Sequence, residues 1–112
     1  MKRTTKVKIK GAWYTVTYVP SDLLKGQHGM AVQADCEMYT QEIAIREDAK
    51  EAAVGRLLGH EIMHPYLAWS GLEATIKALV GEKQGLDLIE AICDCAGEAI
   101  FETCRDNPDL FK

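Results

Sequence analysis

Two histidines and a glutamate occupy the run His60-Glu61-Ile62-Met63-His64. Residues four apart lie on the same face of an α-helix, so the two imidazoles can bind one metal ion. Glu61 is offset by one position, where its carboxylate can reach a metal-bound water without taking up a ligand position. The pattern H-E-x-x-H therefore predicts a zinc site with a general base beside it.

A catalytic zinc site needs a third protein ligand, with the fourth position left to water. In one class of zinc enzymes this ligand is a histidine six residues after the second motif histidine. This chain has Ser70 there, and Leu67 where that class has glycine. The one other histidine, His28, lies upstream in a predicted loop and is the weaker candidate. An acidic residue of the helix predicted over residues 86–105 is the better source. Three carboxylates compete there: Glu90, Asp94 and Glu98.

Glu90 and Asp94 form an E-x-x-x-D pair that resembles the second motif of the gluzincin metallopeptidases. This family, typified by thermolysin, couples a helical H-E-x-x-H to a downstream helical E-x-x-x-D. The resemblance implies that Glu90 is the third zinc ligand and that Asp94 is hydrogen-bonded to His60 and orients it. Glu98, a further turn along the helix, is then expected to face away from the metal or into solvent.

The order of the elements is also similar to that of the minimal gluzincins. These include the ImmA/IrrE-like peptidases and related small proteins of phages and mobile elements. The resemblance in amino-acid sequence is confined to residues 57–64 and 90–94. The resemblance in the order of strands and helices covers most of the chain. It implies one zincin-like metallopeptidase domain over residues 1–112 that hydrolyses peptide bonds in an extended polypeptide substrate.

The alternative function is a catalytically inactive, zinc-stabilised interaction or regulatory domain of phage or mobile-element origin. Glu61 favours the enzyme, because a purely structural zinc site has no use for that residue. Gluzincins also use a tyrosine or histidine to stabilise the oxyanion. Tyr39, Tyr66 and His28 are candidates, and the sequence does not choose among them.

Pro65 departs from the family pattern, because it directly follows His64 where the motif helix usually continues uninterrupted. Proline cannot donate the hydrogen bond to the Glu61 carbonyl and disfavours helical geometry at the residue before it. We therefore expect the helix to kink or end within one turn of Pro65. Both histidines precede that point, so their spacing is preserved.

The first half of the chain has the period of β-strands. Alternating patterns and short apolar runs predict four strands, over residues 6–10, 13–19, 30–34 and 41–46. Lys10-Gly11 is a plausible hairpin turn between the first two strands. Residues 35–37 are predicted to connect the last two. The strand at 41–46 precedes the motif helix and is a candidate edge that a peptide could join by β-addition.

The second half has the period of α-helices. Apolar spacing predicts three helices, over residues 48–69, 72–81 and 86–105. Asp48, followed three residues later by Glu51, is the expected N-cap of the first helix. Strands followed by helices predict an α+β domain, with a small antiparallel sheet of three to four strands, an H-E-x-x-H helix and a C-terminal acid-bearing helix.

The composition of the chain argues against two classes of partner, nucleic acids and membranes. With 13 Lys and Arg against 17 Asp and Glu, the net charge is −4, which disfavours nucleic-acid binding. The chain has no apolar run near the roughly 20 residues that span a bilayer, and no apolar segment follows its charged start. We therefore expect no membrane association and a cytoplasmic location, where cysteines stay reduced. Four cysteines are accordingly interpreted as structural thiols: Cys36, Cys93, Cys95 and Cys104.

Overall fold

A computed structural model describes residues 3–24 and 33–110, and it confirms the α+β class. The described residues form a four-stranded sheet and three helices. The strands are β1 (Lys6–Ile9), β2 (Ala12–Val19), β3 (Ala34–Glu37) and β4 (Glu42–Arg46). The helices are α1 (Glu51–Trp69), α2 (Leu72–Val80) and α3 (Glu82–Asp106). None of these helices is long and apolar enough to cross a membrane.

The sheet is mixed, with the strand order β1-β2-β4-β3. β1 pairs with β2, and β3 with β4, in antiparallel fashion, whereas β2 and β4 run parallel with Val16 opposite Ile43. The expectation of purely antiparallel pairing is therefore wrong at the centre of the sheet. Burial explains the order: Ile43 and Ile45 of β4 are fully buried, whereas short and polar β3 suits an edge.

β3 begins later along the chain than predicted. Asp35 and Cys36, expected in a connection, lie inside this strand, and residues 30–32 fall outside the described part of the chain. β4 lies between two other strands, so it is not the free edge that the sequence suggested. The edge strand on the side of β4 is β3, which contacts α1.

α1 begins at Glu51, and its N-cap residue is Lys50, which makes no side-chain capping hydrogen bond. The predicted N-cap, Asp48, instead accepts two hydrogen bonds from the Arg46 guanidinium, at 2.7 and 2.8 Å. The prediction of Asp48 as N-cap is therefore wrong. Asp48 lies two residues before the actual N-cap, and its carboxylate is held by a bidentate, charge-assisted pair with Arg46.

The prediction was a kink or an end of the helix within one turn of Pro65; α1 continues past Pro65 and ends four residues later, at Trp69. Pro65 is fully buried, and Leu67 in the turn after it is buried with residues of α2 and α3. Tertiary packing of this last turn overrides the local cost of the missing hydrogen bond to the Glu61 carbonyl.

Two apolar clusters hold the layers together. One joins the inner face of the sheet to α1, and the other joins α1, α2 and α3. α3 begins four residues earlier than predicted, because the turn between α2 and α3 is made by Gly81 with a φ of 91°. Gly85, expected to precede the helix, is buried inside it.

Candidate metal centre

α1 and α3 approach each other closely enough for their backbones to touch. A Cβ atom on Gly97 would lie 2.5 Å from the carbonyl carbon of Gly59, which real contacts do not allow. This contact is one residue before His60 and three residues after Asp94. It therefore brings the acidic residues of α3 up to the histidines of α1.

Both motif histidines and Glu90 converge on one point. The Nε2 atoms of His60 and His64 are 3.2 Å apart. One Glu90 oxygen lies 2.9 Å from His60 Nε2, and the other lies 3.1 Å from His64 Nε2. Ligand atoms around a tetrahedral metal with bonds of about 2.0–2.1 Å are about 3.3 Å apart, and each of these three separations is close to that value.

Asp94 contacts the opposite side of the His60 ring, as the resemblance implies. Its Oδ1 lies 2.6 Å from His60 Nδ1, and a carboxylate accepts, so Nδ1–H is the donor. In the neutral ring this leaves a lone pair on Nε2, which faces the Glu90 carboxylate and the second imidazole. When His64 also carries its proton on Nδ1, both Nε2 lone pairs face the Glu90 carboxylate, and a metal ion between these groups relieves their repulsion; without a metal, a proton on His64 Nε2 does so.

The surroundings of His64 favour its neutral form. Burial lowers the pKa of His64, while the Glu90 carboxylate acts in the opposite direction and His60 acts with burial. A neutral imidazole is the form that binds a metal, because its free nitrogen offers a lone pair.

Glu61 is buried beside the convergence point, with a carboxylate oxygen 3.9 Å from His60 Nε2. Burial raises the pKa of Glu61 to about 8, and the charges of Asp35, Glu90 and Asp94 act in the same direction. Without a cation nearby, the Glu61 carboxyl group therefore keeps its proton at neutral pH. A divalent cation at the convergence point offsets that surplus of negative charge and favours the carboxylate.

Cys93 also belongs to this centre, which sequence reasoning missed by treating it as a structural thiol. His60, His64 and Cys93 form a group able to hold a metal ion, with one ligand atom of each within 4.8 Å of the others. Burial raises the pKa of the Cys93 thiol to about 12, with Glu90 adding to the effect. The sequence offered one signal for this role, since Cys93 is the residue before Asp94. Only the packing of α3 against α1 shows that its sulfur lies on the side of α3 that faces the histidines.

The edge strand β3 lies beside Glu61. Burial raises the pKa of Cys36 to about 12, and the nearby charge of Glu61 is the next cause. The pKa of Asp35 is raised by burial, and His64 and Glu90 are among the charges that act on it. Sequence analysis placed both residues in a connection, so it did not place them near the motif.

Other predicted residues lie elsewhere. Glu98 lies one turn after Asp94 and is 3.6 Å from the guanidinium of Arg56, one turn before His60, so it pairs with Arg56 and not with the histidines. Tyr39 is 95% exposed in the turn between β3 and β4. The Tyr66 ring lies against the Lys10 ammonium, about 200° around α1 from His64. His28 falls outside the described residues, so the structure identifies no oxyanion-stabilising residue among those described.

A cavity of about 920 Å³ lies apart from this centre. It is an apolar groove between α1, α3 and the N-terminal segment, and its lining includes Leu58, Ile62 and Phe101. Leu58 and Ile62 are about 160° around α1 from His60, so the groove opens on the opposite side of the helix. The residues that line the groove bring no set of metal-ligand atoms together, whereas His60, His64 and Glu90 do. The candidate metal centre is therefore the better candidate for the functional site.

No protein-family model, curated protein or solved structure matches the chain. The functional interpretation therefore depends on the motif and on the distances described above.

Proposed function

We propose that this protein is a zinc metallopeptidase of the minimal gluzincin type. The observation that carries the proposal is the convergence of two histidines and a carboxylate: the Nε2 atoms of His60 and His64 are 3.2 Å apart, and each lies 2.9–3.1 Å from one of the Glu90 oxygens. Two imidazoles and one carboxylate are a common ligand set of catalytic zinc. Zinc, when bound, polarises the peptide carbonyl and lowers the pKa of water toward about 7.

Glu61 supplies the proton transfer. Its carboxylate accepts a proton from the attacking water and delivers it to the leaving amine nitrogen. Its burial supports this role, because a carboxylate out of bulk water is a stronger base than an exposed one. Asp94 holds His60 in the tautomer that presents Nε2, and so it acts as a positioning residue.

An extended polypeptide is the substrate class that the sheet favours. β3 is hydrogen-bonded to β4 on one side, and its other side carries backbone groups that no described strand pairs. A peptide added there as a further strand runs beside α1, close to Glu61. The sequence suggested β4 for this role; β3 replaces it because β4 is interior.

The test combines metal analysis with peptide cleavage. The purified protein is expected to hold about one zinc per chain, and His60→Ala combined with His64→Ala is expected to abolish that binding. Glu61→Gln is expected to keep zinc and lose hydrolysis of an unstructured-protein panel, because an amide cannot accept the proton. Full zinc retention in the double variant would exclude this site, and unchanged hydrolysis in Glu61→Gln would exclude Glu61 as the base.

A zinc-stabilised interaction domain is the second candidate function. The specific observation in its favour is Cys93, since thiolates are typical of closed structural zinc sites. A wild-type protein that binds zinc, unfolds when zinc is removed and cleaves nothing in the panel would support this second function.

A further inference from the structure

We propose that Cys93 is a fourth protein ligand of the metal held by His60, His64 and Glu90, and that its thiolate closes the site to water in the resting protein. The proposal rests on the zinc site of the proposed function. It adds a ligand that neither the H-E-x-x-H motif nor the E-x-x-x-D pair assigns.

Position is the first support. Cys93 lies three residues after Glu90, so both side chains are within one turn of α3 and reach toward α1. Its sulfur is within 4.8 Å of a ring nitrogen of each motif histidine. A tetrahedral site with one sulfur has sulfur–nitrogen separations of about 3.6 Å, so a shift of about 1 Å completes the fourth corner.

Burial is the second support. Cys93 has no exposed surface, and it packs in an apolar cluster with Leu67, Ile76 and Ile89. The sulfur side of the centre therefore has no surface open to bulk solvent, whereas the Glu90 side chain is 56% exposed. A ligand that approaches from the buried side must come from the protein, and Cys93 is the group whose sulfur lies there.

Ionisation of Cys93 depends on the metal itself, because burial and the nearby charges of Glu90 and Glu61 oppose it in the metal-free protein. A coordinating metal ion deprotonates a thiol even where burial opposes its ionisation. The thiol proton passes to solvent as the sulfur–metal bond forms, and a water molecule leaves the fourth position.

A closed site means that the resting protein is latent. Glu61 would then have no metal-bound water to activate until the sulfur leaves the metal and a water molecule takes the fourth position. Closed four-ligand coordination is typical of structural zinc, and an open fourth position is typical of catalytic zinc. Cys93 thus lets one centre adopt both arrangements.

The test is cobalt substitution in the intact 112-residue chain. Wild type loaded with Co²⁺ is expected to show a near-ultraviolet thiolate-to-cobalt charge-transfer band, which Cys93→Ser loses. The matched control is Cys95→Ser, an exposed position on the same helix, which is expected to keep the band. In competition with a chelator, Cys93→Ser is expected to bind zinc about 10–100-fold more weakly, and Cys95→Ser as tightly as wild type.

X-ray absorption of the wild-type zinc protein covers the case in which Cys93→Ser does not fold, and a sulfur shell at about 2.3 Å is expected. Tight binding of zinc and cobalt without a sulfur band or shell would overturn the Cys93 proposal and leave the zinc site standing. No binding of either metal would overturn the proposed function itself.

Discussion

Gly59 and Gly97 meet backbone to backbone where α1 crosses α3, and a Cβ on Gly59 would lie 2.5 Å from the Gly97 carbonyl oxygen. Neither carbonyl group can move aside as a flexible side chain would. The separation of the two helices at this point sets the reach of Glu90 and Asp94 to the histidines. We therefore expect glycine at both positions to be required for the proposed metal centre as well as for the packing.

Gly97→Ala is expected to push the helices apart and weaken zinc binding by about 10-fold or more, with a loss of about 1–3 kcal/mol in the free energy of unfolding. Gly85→Ala is the matched control, because Gly85 packs against Lys77 of α2 instead. That variant is expected to lose stability without losing zinc affinity. Chelator competition and urea unfolding measure the two quantities, and equal zinc affinity in both variants would contradict this role.

The carboxylates of α3 are expected to differ in their effect on the metal. Asp94→Ala removes the 2.6 Å contact with His60 and is expected to cost about 10–100-fold in zinc affinity. Glu90→Ala is expected to abolish most zinc binding, because it removes a ligand. Glu98→Ala is the control, since Glu98 faces Arg56, and is expected to bind zinc as wild type does. Zinc affinity that is lost in Glu98→Ala and kept in Glu90→Ala would reverse the assignment.

Glu61 is expected to make the metal-free protein less stable as pH rises. Its pKa is about 8 in the folded chain against 4.5 as the ordinary value, so between those limits the folded state binds more protons than the unfolded state. Stability from this group is therefore present below about pH 4.5 and lost as pH rises through about 8.

Glu61→Gln removes this dependence, because an amide does not titrate. In the presence of a chelator, the variant is expected to gain stability relative to wild type by a few kcal/mol, about 4 at most, between about pH 5 and pH 9. Urea unfolding at both pH values measures the difference, and other titrating groups cancel in the comparison. A difference that does not change with pH would mean that Glu61 is ionised in the folded protein.

Local geometry accounts for what the sequence predicted well. The shared face of His60 and His64 follows from helical spacing alone, since residues four apart always meet. The approach of Glu90 and Asp94 to those histidines depends on a helix 26 residues further on. The E-x-x-x-D resemblance predicted their place, which spacing within one helix could not.

Long-range packing accounts for the rest. The edge position of β3 depends on which strand pairs with β2, and only the burial of Ile43 and Ile45 in the assembled sheet decides that. Pro65 signals a helix end in isolation, yet packing around Leu67 keeps α1 intact. The sequence could not place Cys93 either, because its side of α3 contacts both an apolar cluster and the two histidines of the candidate metal centre.

The outward N–H groups of β3 offer a direct test of peptide addition. The Arg46 N–H donates to the Gln33 carbonyl, so these two residues form a hydrogen-bonded pair across the strands. Antiparallel alternation then directs the N–H of Asp35 toward β4 and the N–H of Ala34 and Cys36 away from it. A peptide strand added to β3 would accept from those two donors.

Ala34→Pro removes one outward donor at the first residue of the strand, where proline is tolerated. It is expected to lower kcat/KM for extended peptides by about 3–10-fold, the worth of one hydrogen bond, while zinc content is unchanged. Ala34→Ser keeps the N–H and is the control, expected to cleave as wild type does. Equal losses in both variants would show that the side chain at this position matters and the donor does not, and peptides would then have to bind elsewhere than along β3.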